Sequence, residues 1–284
     1  MRLAGSVVAV VAGLLSVGVG SNGRNHPRPA SLLDSHLLVT WYGNPHSSRM
    51  GVLGRLTGAE RADGLRRQAA AYAPLTDKHV QPAYHLVAVI AQPTAGSDRK
   101  WRRRESVEVI RDLLEEARAN GFLLVLDVQT GRSDVEEELA YLRPFLMEPD
   151  VHLALDPEFD MSEGQVPGRE LGHTQAVDVN AALDVLERIV RTADLPPKVL
   201  IVHQFTMSML PDKELIRARP RIDLVLDMDG FGSQSLKLST YRMVTRQCAL
   251  PFIGFKLFYQ QDTNLFTPAQ VMRLAPVPSV VIYQ

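Results

Sequence analysis

Pairs of polar side chains end several apolar runs of this sequence, and all of these pairs contain a carboxylate. The stretch VHLALDPEFDM (151–161) ends with Asp156 and Glu158 two residues apart. The same spacing recurs after two other apolar runs, in Asp127 with Gln129 and in Asp227 with Asp229. Side chains two apart on a β-strand point the same way, so each pair can face one common space. Crowded carboxylates raise one another's pKa or require a cation, so the pattern predicts either a proton donor or a metal site.

A proton donor in this setting favours the chemistry of glycoside hydrolysis. Glu158, desolvated and flanked by Asp156 and Asp127, is expected to have a raised pKa and to protonate a glycosidic oxygen as general acid. Asp156 is expected to stay ionised and to orient a substrate amide or stabilise positive charge on the sugar. Asp227 or Asp229 would act as the base for water. The predicted catalytic residues are Glu158, Asp156, Asp229 and Asp127.

Other residues at the same strand ends are predicted to bind the substrate, a glycan or another small polar molecule. Lys256 follows an apolar stretch (252–255), a setting in which a lysine normally pairs with a carboxylate. Aromatic residues nearby can stack on sugar rings. The predicted substrate-binding residues are Tyr42, Gln129, His203, Gln204, Asp227, Lys256, Tyr259 and Tyr283.

Two alternative functions use the same residues. In the first, a Mg²⁺-dependent hydrolase or lyase has Lys256 and His203 as base and acid, and binds the ion through Asp127, Asp156, Glu158 and Asp229. In the preferred interpretation His203 is a hydrogen-bonded residue, because no second histidine lies at metal-site spacing, and no metal or other cofactor is predicted. In the second alternative, a non-catalytic envelope barrel binds a glycan or a protein. Its mouth would be filled, with the carboxylates paired to Lys256, Arg132 and Arg169.

The elements that position these residues alternate between strands and helices. Segments such as ESVEVIRDLLEEARANG have helical periodicity, and they separate apolar runs typical of buried parallel strands. There are eight such runs, at 37–43, 84–92, 122–129, 151–159, 198–205, 222–230, 251–260 and 279–284. Eight units most simply close into a single (β/α)8 TIM barrel over residues 36–284, ending at the eighth strand without a final helix. A doubly wound open sheet is the second choice, although no G-x-G-x-x-G follows the first strand.

The two sides of such a barrel differ in loop length. The helix-to-strand joins are terse, whereas the strand-to-helix joins are long, for example GNPHSSRMGVLG and DMSEGQVPGRELGH. Active sites of these barrels lie where strands end and helices begin. The elaborated face is therefore the expected active face, and it carries the carboxylates.

The N-terminal segment predicts export. Arg2 precedes an apolar run (3–20), so residues 1–20 are predicted to be a signal peptide or a membrane anchor, and residues 21–35 a linker. The expected location is extracellular or associated with the cell envelope, with membrane attachment if the segment is retained. A net charge of −1 offers no field that would recruit nucleic acid. The sequence does not indicate an oligomeric state.

Two resemblances extend this interpretation. The blocks WYGNPHSSRMGVLG, LDVQTGRSDV, HLALDPEFDM, VHQF, DMDGFG and GFKLFYQQD together resemble an uncharacterised group of exported bacterial TIM-barrel proteins, which brings no known activity. Asp156-Pro157-Glu158 is similar to the D-x-E of chitinase-like and family-25-lysozyme-like glycoside hydrolases, and LDMDGFG is similar to the M-x-Y-D region of the chitinase-like group. The chain departs from the chitinase-like pattern at Ala154, where a further Asp is expected. The resemblance implies an exported glycosidase-like barrel.

Overall fold

The computed structural model describes residues 31–246 and 252–284, and these form a closed barrel. Eight parallel strands follow one another around the ring, and the pairing of the first two strands in the chain closes it. A ninth, short strand (β3) pairs antiparallel with β2 outside the ring. The strands are β1 His36–Gly43, β2 His79–Ala91, β3 Arg102–Arg104, β4 Leu123–Val128, β5 Val151–Leu155, β6 Lys198–Gln204, β7 Ile222–Met228, β8 Phe252–Leu257 and β9 Val280–Tyr283. The predicted (β/α)8 barrel is confirmed, and the open sheet is wrong.

Helices cover the outside of the ring. They are α1 Gly58–Ala70, α2 Val107–Ala119, α3 Val135–Leu146, α4 Ala176–Thr192, α5 Gln234–Thr245 and α6 Pro268–Val271. Side-chain caps begin several of them: Ser106 accepts the Val109 N–H at the start of α2, and Asp134 accepts the Glu137 N–H at the start of α3. Between β6 and β7 two short 3-10 turns replace the usual α-helix.

Two apolar clusters lie on the two faces of the strands. The larger cluster fills the space between strands and helices, and the smaller one fills the barrel interior with residues such as Val125, Ile201 and Val225. Leu33 belongs to the interior cluster, and its N–H donates to the carboxylate of Asp223 at 2.9 Å. Because side chains alternate along each strand, the residues beyond this cluster also face the interior, and they are the polar ones.

A basic run in the loop after β2 is held by acidic partners. Arg102 and Arg104, on β3, donate from Nε to the buried carboxylate of Glu138 on α3 at 2.7 and 2.6 Å. Arg132 lies over the ring of Trp101 at 4.7 Å and donates to the backbone oxygen of Gln165. These ion pairs join β3 to α3, and they give the arginines of β3 a structural role.

The predicted export segment and residues 21–30 of the predicted linker lie outside the described residues. Among the helices that the structure describes, none is long and apolar enough to cross a membrane.

Candidate active site

An open cleft of about 770 Å³ lies at the carboxyl ends of the strands, on the face with the long loops. Six residues of the predicted site line it: Tyr42, Gln129, Asp156, Glu158, Asp229 and Lys256. They lie at or just after the carboxyl ends of five strands, β1, β4, β5, β7 and β8, so the closure of the barrel brings them together. The predicted position of the site on this face agrees with the usual arrangement in such barrels.

Asp156 and Glu158 meet through a tight turn and not through strand alternation. β5 ends at Leu155, and Asp156 caps a 3-10 turn (Pro157–Phe159) by accepting the Glu158 N–H at 3.2 Å. The second carboxyl oxygen of Asp156 accepts from Nε2 of Gln129 at 3.1 Å. The prediction that both side chains continue a strand was wrong, because proline at 157 starts the turn. Both nevertheless line the cleft.

The pKa of Asp156 differs from the expectation that this residue stays ionised while Glu158 holds the proton. Burial raises the pKa of Asp156 to about 8, and the negative charge of Asp127 adds to the effect. Burial also raises the pKa of Glu158, and the charge of Asp229 adds to it. Asp156 was expected to stay ionised beside Lys256, but its exposed fraction is only 4% and Lys256 pairs with a different carboxylate. Among the described residues, no side chain or backbone group donates to the Glu158 carboxyl, which is therefore free to meet a ligand.

An ion pair holds a third carboxylate in the cleft. Nζ of Lys256 lies 3.0 Å from both carboxyl oxygens of Asp229 and 3.8 Å from the centre of the Tyr42 ring. Burial would lower the pKa of Lys256, but the charges of Asp229 and Asp156 outweigh it and raise the pKa. The lysine therefore stays protonated, and the predicted pairing of Lys256 with a carboxylate is confirmed.

A second polar layer lies beneath the cleft floor and is fully buried. His203 bridges two carboxylates, with Nδ1 at 2.9 Å from Asp227 and Nε2 at 3.2 Å from Asp127. Nε2 of His85 lies 3.4 Å from the same oxygen of Asp127. Asp227 fits because the facing residue is Gly254, whose added Cβ would lie 2.4 Å from a carboxyl oxygen of Asp227.

His85 is the site residue that sequence reasoning missed. It lies in a long apolar strand, YHLVAVIAQ, at the same alternation as Val87, which faces the barrel interior. The sequence could have indicated it, because His85 is a lone histidine at a strand position whose side chain faces the barrel interior. Burial lowers the pKa of His85 to about 4, so the ring is neutral near pH 7. Burial and the charge of Lys256 would lower the pKa of His203, but its hydrogen bonds to Asp127 and Asp227 and the charge of Asp127 outweigh them and raise the pKa.

Three predicted binding residues do not reach the cleft. The hydroxyl of Tyr283 bonds to that of Tyr72 at 2.6 Å, and the ring of Tyr259 stacks on Tyr283 at 5.4 Å. Gln204 donates to the backbone oxygen of Thr206 at 3.0 Å. On β9, Ile282 faces the interior, so alternation turns Tyr283 outward to the helices. Two more predicted binding residues, His203 and Asp227, and the predicted catalytic residue Asp127 are fully buried beneath the floor and do not line the cleft.

The upper wall of the cleft is apolar, and most of it lies on loops that sequence analysis did not single out. Phe231 and Leu236 have exposed fractions of 60% and 55%, which is high for residues of this size. Phe231 packs edge-on against Phe258 at 5.7 Å. The wall consists of Met50, Phe159, Phe205, Phe231, Leu236 and Phe258.

Two groups of potential metal ligands lie in the buried layer. In each of them the ligand atoms lie within 4.8 Å of one another: His85, Asp127 and His203, and then His203, Asp227 and Asp229. Across the part of the chain that the structure describes, the quartet predicted for Mg²⁺ is not such a group. The Mg²⁺ alternative stays a prediction. The residues that the structure does group as potential ligands are the two buried sets beneath the cleft.

No protein-family model matches the chain, and no curated protein is significantly similar to it. The barrel is shown by the structure, while the resemblance to exported barrel proteins and to glycoside hydrolases stays a prediction.

Proposed function

We propose that this protein is a glycoside-hydrolase-like barrel enzyme that acts on a glycan of the cell envelope or the extracellular space. The observation that carries the proposal is the cleft itself, where the carboxyls of Asp156 and Glu158 share an open space with an ion-paired Asp229. Hydrolysis of a glycosidic bond needs two carboxyl groups with different tasks, one holding a proton and one ionised. The cleft offers both.

Glu158 is the proton donor in this proposal. Its carboxyl lines the cleft and is partly exposed, so it can touch a glycosidic oxygen. The raised pKa keeps a larger fraction of the group protonated near neutral pH, as a general acid requires. Asp156, held by Gln129 and by the backbone of the turn, forms the floor beside it and can hydrogen-bond to a substrate hydroxyl or amide.

Asp229 is the ionised carboxylate. Burial raises the pKa of Asp229, and the ion pair with Lys256 opposes this rise and favours the charged form. The pair is nearly buried, with exposed side-chain fractions of 5% for Asp229 and 3% for Lys256. A carboxylate in this position can activate water or stabilise positive charge that develops on the sugar ring. The aromatic wall above supplies apolar faces on which a sugar can stack.

The non-catalytic alternative predicts a filled mouth and carboxylates paired with Lys256, Arg132 and Arg169, and of these pairs the one between Lys256 and Asp229 is present. The mouth is open, and Arg132 instead donates to the backbone oxygen of Gln165. The open mouth and the contact of Arg132 support an enzyme over a non-catalytic binding protein. Action outside the cytoplasm rests on the apolar segment at residues 3–20 alone.

The proposal is tested by screening β-linked amino-sugar polymers, peptidoglycan fragments and neutral glycans for hydrolysis. On a glycan that responds, Glu158→Gln should lower turnover by about 100-fold or more, because it removes the proton while keeping the size of the side chain. Glu163→Gln is the matched control, since Glu163 is exposed on the same loop and outside the cleft. Full turnover by Glu158→Gln, or no hydrolysis of any glycan, would contradict the proposal.

A further inference from the structure

The buried layer beneath the cleft contains polar atoms that nothing in the described chain satisfies. Neither ring nitrogen of His85 makes a well-aligned hydrogen bond, although the side chain is completely buried. One carboxyl oxygen of Asp127 and one of Asp227 are also without a partner. Unpaired buried polar atoms are rare because each costs about 1–3 kcal/mol, so a cluster of them calls for an explanation.

The spacing of three of these residues matches a coordination shell. Oδ2 of Asp127 lies 3.2 Å from Nε2 of His203 and 3.4 Å from Nε2 of His85. Ligand atoms held about 2.0–2.1 Å from a tetrahedral ion lie about 3.3 Å from one another. The two imidazole rings are 5.6 Å apart between centroids, so both can face the same point as the carboxylate. These distances are long for charge-assisted hydrogen bonds, which are about 2.7–2.9 Å.

The residues around the trio orient it as they do in metal sites. Nδ1 of His203 lies 2.9 Å from Oδ2 of Asp227, the hydrogen bond by which an outer carboxylate fixes the tautomer of a metal-bound histidine. If Nδ1 carries the proton of a neutral ring, Nε2 presents a lone pair to the Asp127 carboxylate. Two electron-rich atoms 3.2 Å apart repel one another unless a positive charge, a proton or a metal ion, lies between them.

We propose that His85, Asp127 and His203 form a binding site for a divalent first-row transition cation, with Zn²⁺ as the representative ion. Two imidazole nitrogens and one carboxylate suit zinc or iron, whereas Mg²⁺ prefers oxygen ligands alone. All three residues are 0% exposed. The ring of Tyr42, which lines the cleft, packs edge-on against both imidazoles, at 4.9 Å and 6.0 Å.

The site goes beyond the proposed function and does not depend on it. The cation would lie beneath the floor of the cleft, where it would offset the negative charge of Asp127 and Asp227 and join β2, β4 and β6. It would therefore stabilise the buried layer beneath Asp156 and Glu158. A protein without glycan-hydrolysing activity would still bind the ion, so failure of one proposal is distinguishable from failure of the other.

The test measures metal content in the full chain, expressed with added Zn²⁺ and freed of any affinity tag. Wild-type protein should retain about one equivalent of Zn²⁺, and His85→Gln and Asp127→Asn should retain almost none. His152→Gln is the matched control, because His152 is a buried interior histidine with an unpaired Nε2 and no carboxylate among its hydrogen-bond partners. Asp227→Asn should bind the ion about 10- to 100-fold more weakly, as loss of an outer partner does.

Two measurements on the wild-type chain keep the test decisive if a variant does not fold. Zn²⁺ should raise the melting temperature and Mg²⁺ should not, and Co²⁺ should give the intense visible absorption of a tetrahedral nitrogen–oxygen site. Absence of stoichiometric metal together with no thermal shift would overturn the proposal. In that case a second proton on the His203 ring would lie between Nε2 and the Asp127 carboxylate. Equal zinc content in His85→Gln and His152→Gln would overturn it as well, by placing the metal elsewhere.

Discussion

Lys237, on α5, connects the stability of the fold to the shape of the cleft. Its buried ammonium donates to the backbone oxygens of Gly230 at 2.6 Å and Lys256 at 2.7 Å, and pairs with Asp262 at 3.0 Å. Asp262 in turn accepts backbone N–H groups from the loops after β7 and β8. Because Gly230 and Lys256 both line the cleft, this one side chain ties two of its walls together.

Replacing Lys237 with Met keeps the length of the side chain and removes the ammonium. The change leaves the carboxylate of Asp262, whose side chain is 1% exposed, without its counter-charge. Removing one partner of a buried pair costs about 3–5 kcal/mol. Burial lowers the pKa of Lys237 although Asp262 pulls it upward, so their attraction only partly offsets the cost of burying the ammonium. We therefore expect the free energy of unfolding to fall by about 3 kcal/mol, near the lower end of that range. Most of this loss comes from the buried Asp262 carboxylate, which is left without a counter-charge.

Urea unfolding at pH 7 measures this loss, and a double variant identifies its cause. Adding Asp262→Asn to Lys237→Met removes the stranded charge while keeping an oxygen that accepts an N–H, and should recover about 1–2 kcal/mol. Arg191→Met, at an exposed position on α4, is the control and should change the free energy of unfolding by less than about 0.5 kcal/mol. The reasoning is refuted if Lys237→Met lowers the free energy of unfolding by less than about 1 kcal/mol, or if adding Asp262→Asn to Lys237→Met lowers it further.

Two further predictions concern the floor of the cleft. Because the folded pKa of Asp156 is raised to about 8, its contribution to stability is full below the unfolded pKa and is lost as pH rises through the folded one. The free energy of unfolding should therefore fall between about pH 4 and pH 8 more steeply in wild type than in Asp156→Asn, and parallel urea titrations that coincide would contradict this. Gly254→Ala should cost about 1–3 kcal/mol, because its Cβ would lie 2.4 Å from Asp227. Gly230→Ala, whose Cβ would meet nothing closer than 3.3 Å, should cost less in the same thermal unfolding measurement, and equal losses would sink the steric argument.

Local patterns determined much of the fold. Apolar runs of strand length separated by helical periodicity specify parallel strands covered by helices, and eight of them close into a ring. The helical periodicity of ESVEVIRDLLEEARANG corresponds to α2, which begins at the Ser106 cap. Polar residues at strand ends marked the face that carries the cleft, since the carboxyl ends of parallel strands meet on one side of a barrel. These features depend on neighbours within a few residues, which a sequence displays directly.

Side-chain direction and charge at the site depended on where the backbone leaves the strand. The turn at Pro157 changed how Asp156 meets Glu158, and alternation along β9 turned Tyr283 away from the cleft. The pKa of Asp156 follows from its burial near Asp127, which lies on another strand. Burial is a property of the packed molecule, so the sequence could indicate that carboxylates crowd together without indicating which of them keeps its proton.

The histidines show the difference most clearly. From the sequence, His203 had no second histidine at metal-site spacing, because that spacing describes ligands on one local segment. In the barrel, β2 and β6 lie on either side of β4 and β5, and His85 and His203 approach the same oxygen of Asp127. The sequence by itself determined that buried polar residues lie at the carboxyl ends of the strands. Only the closure of the ring decided which of them meet, since closure brings together strands that are distant along the chain.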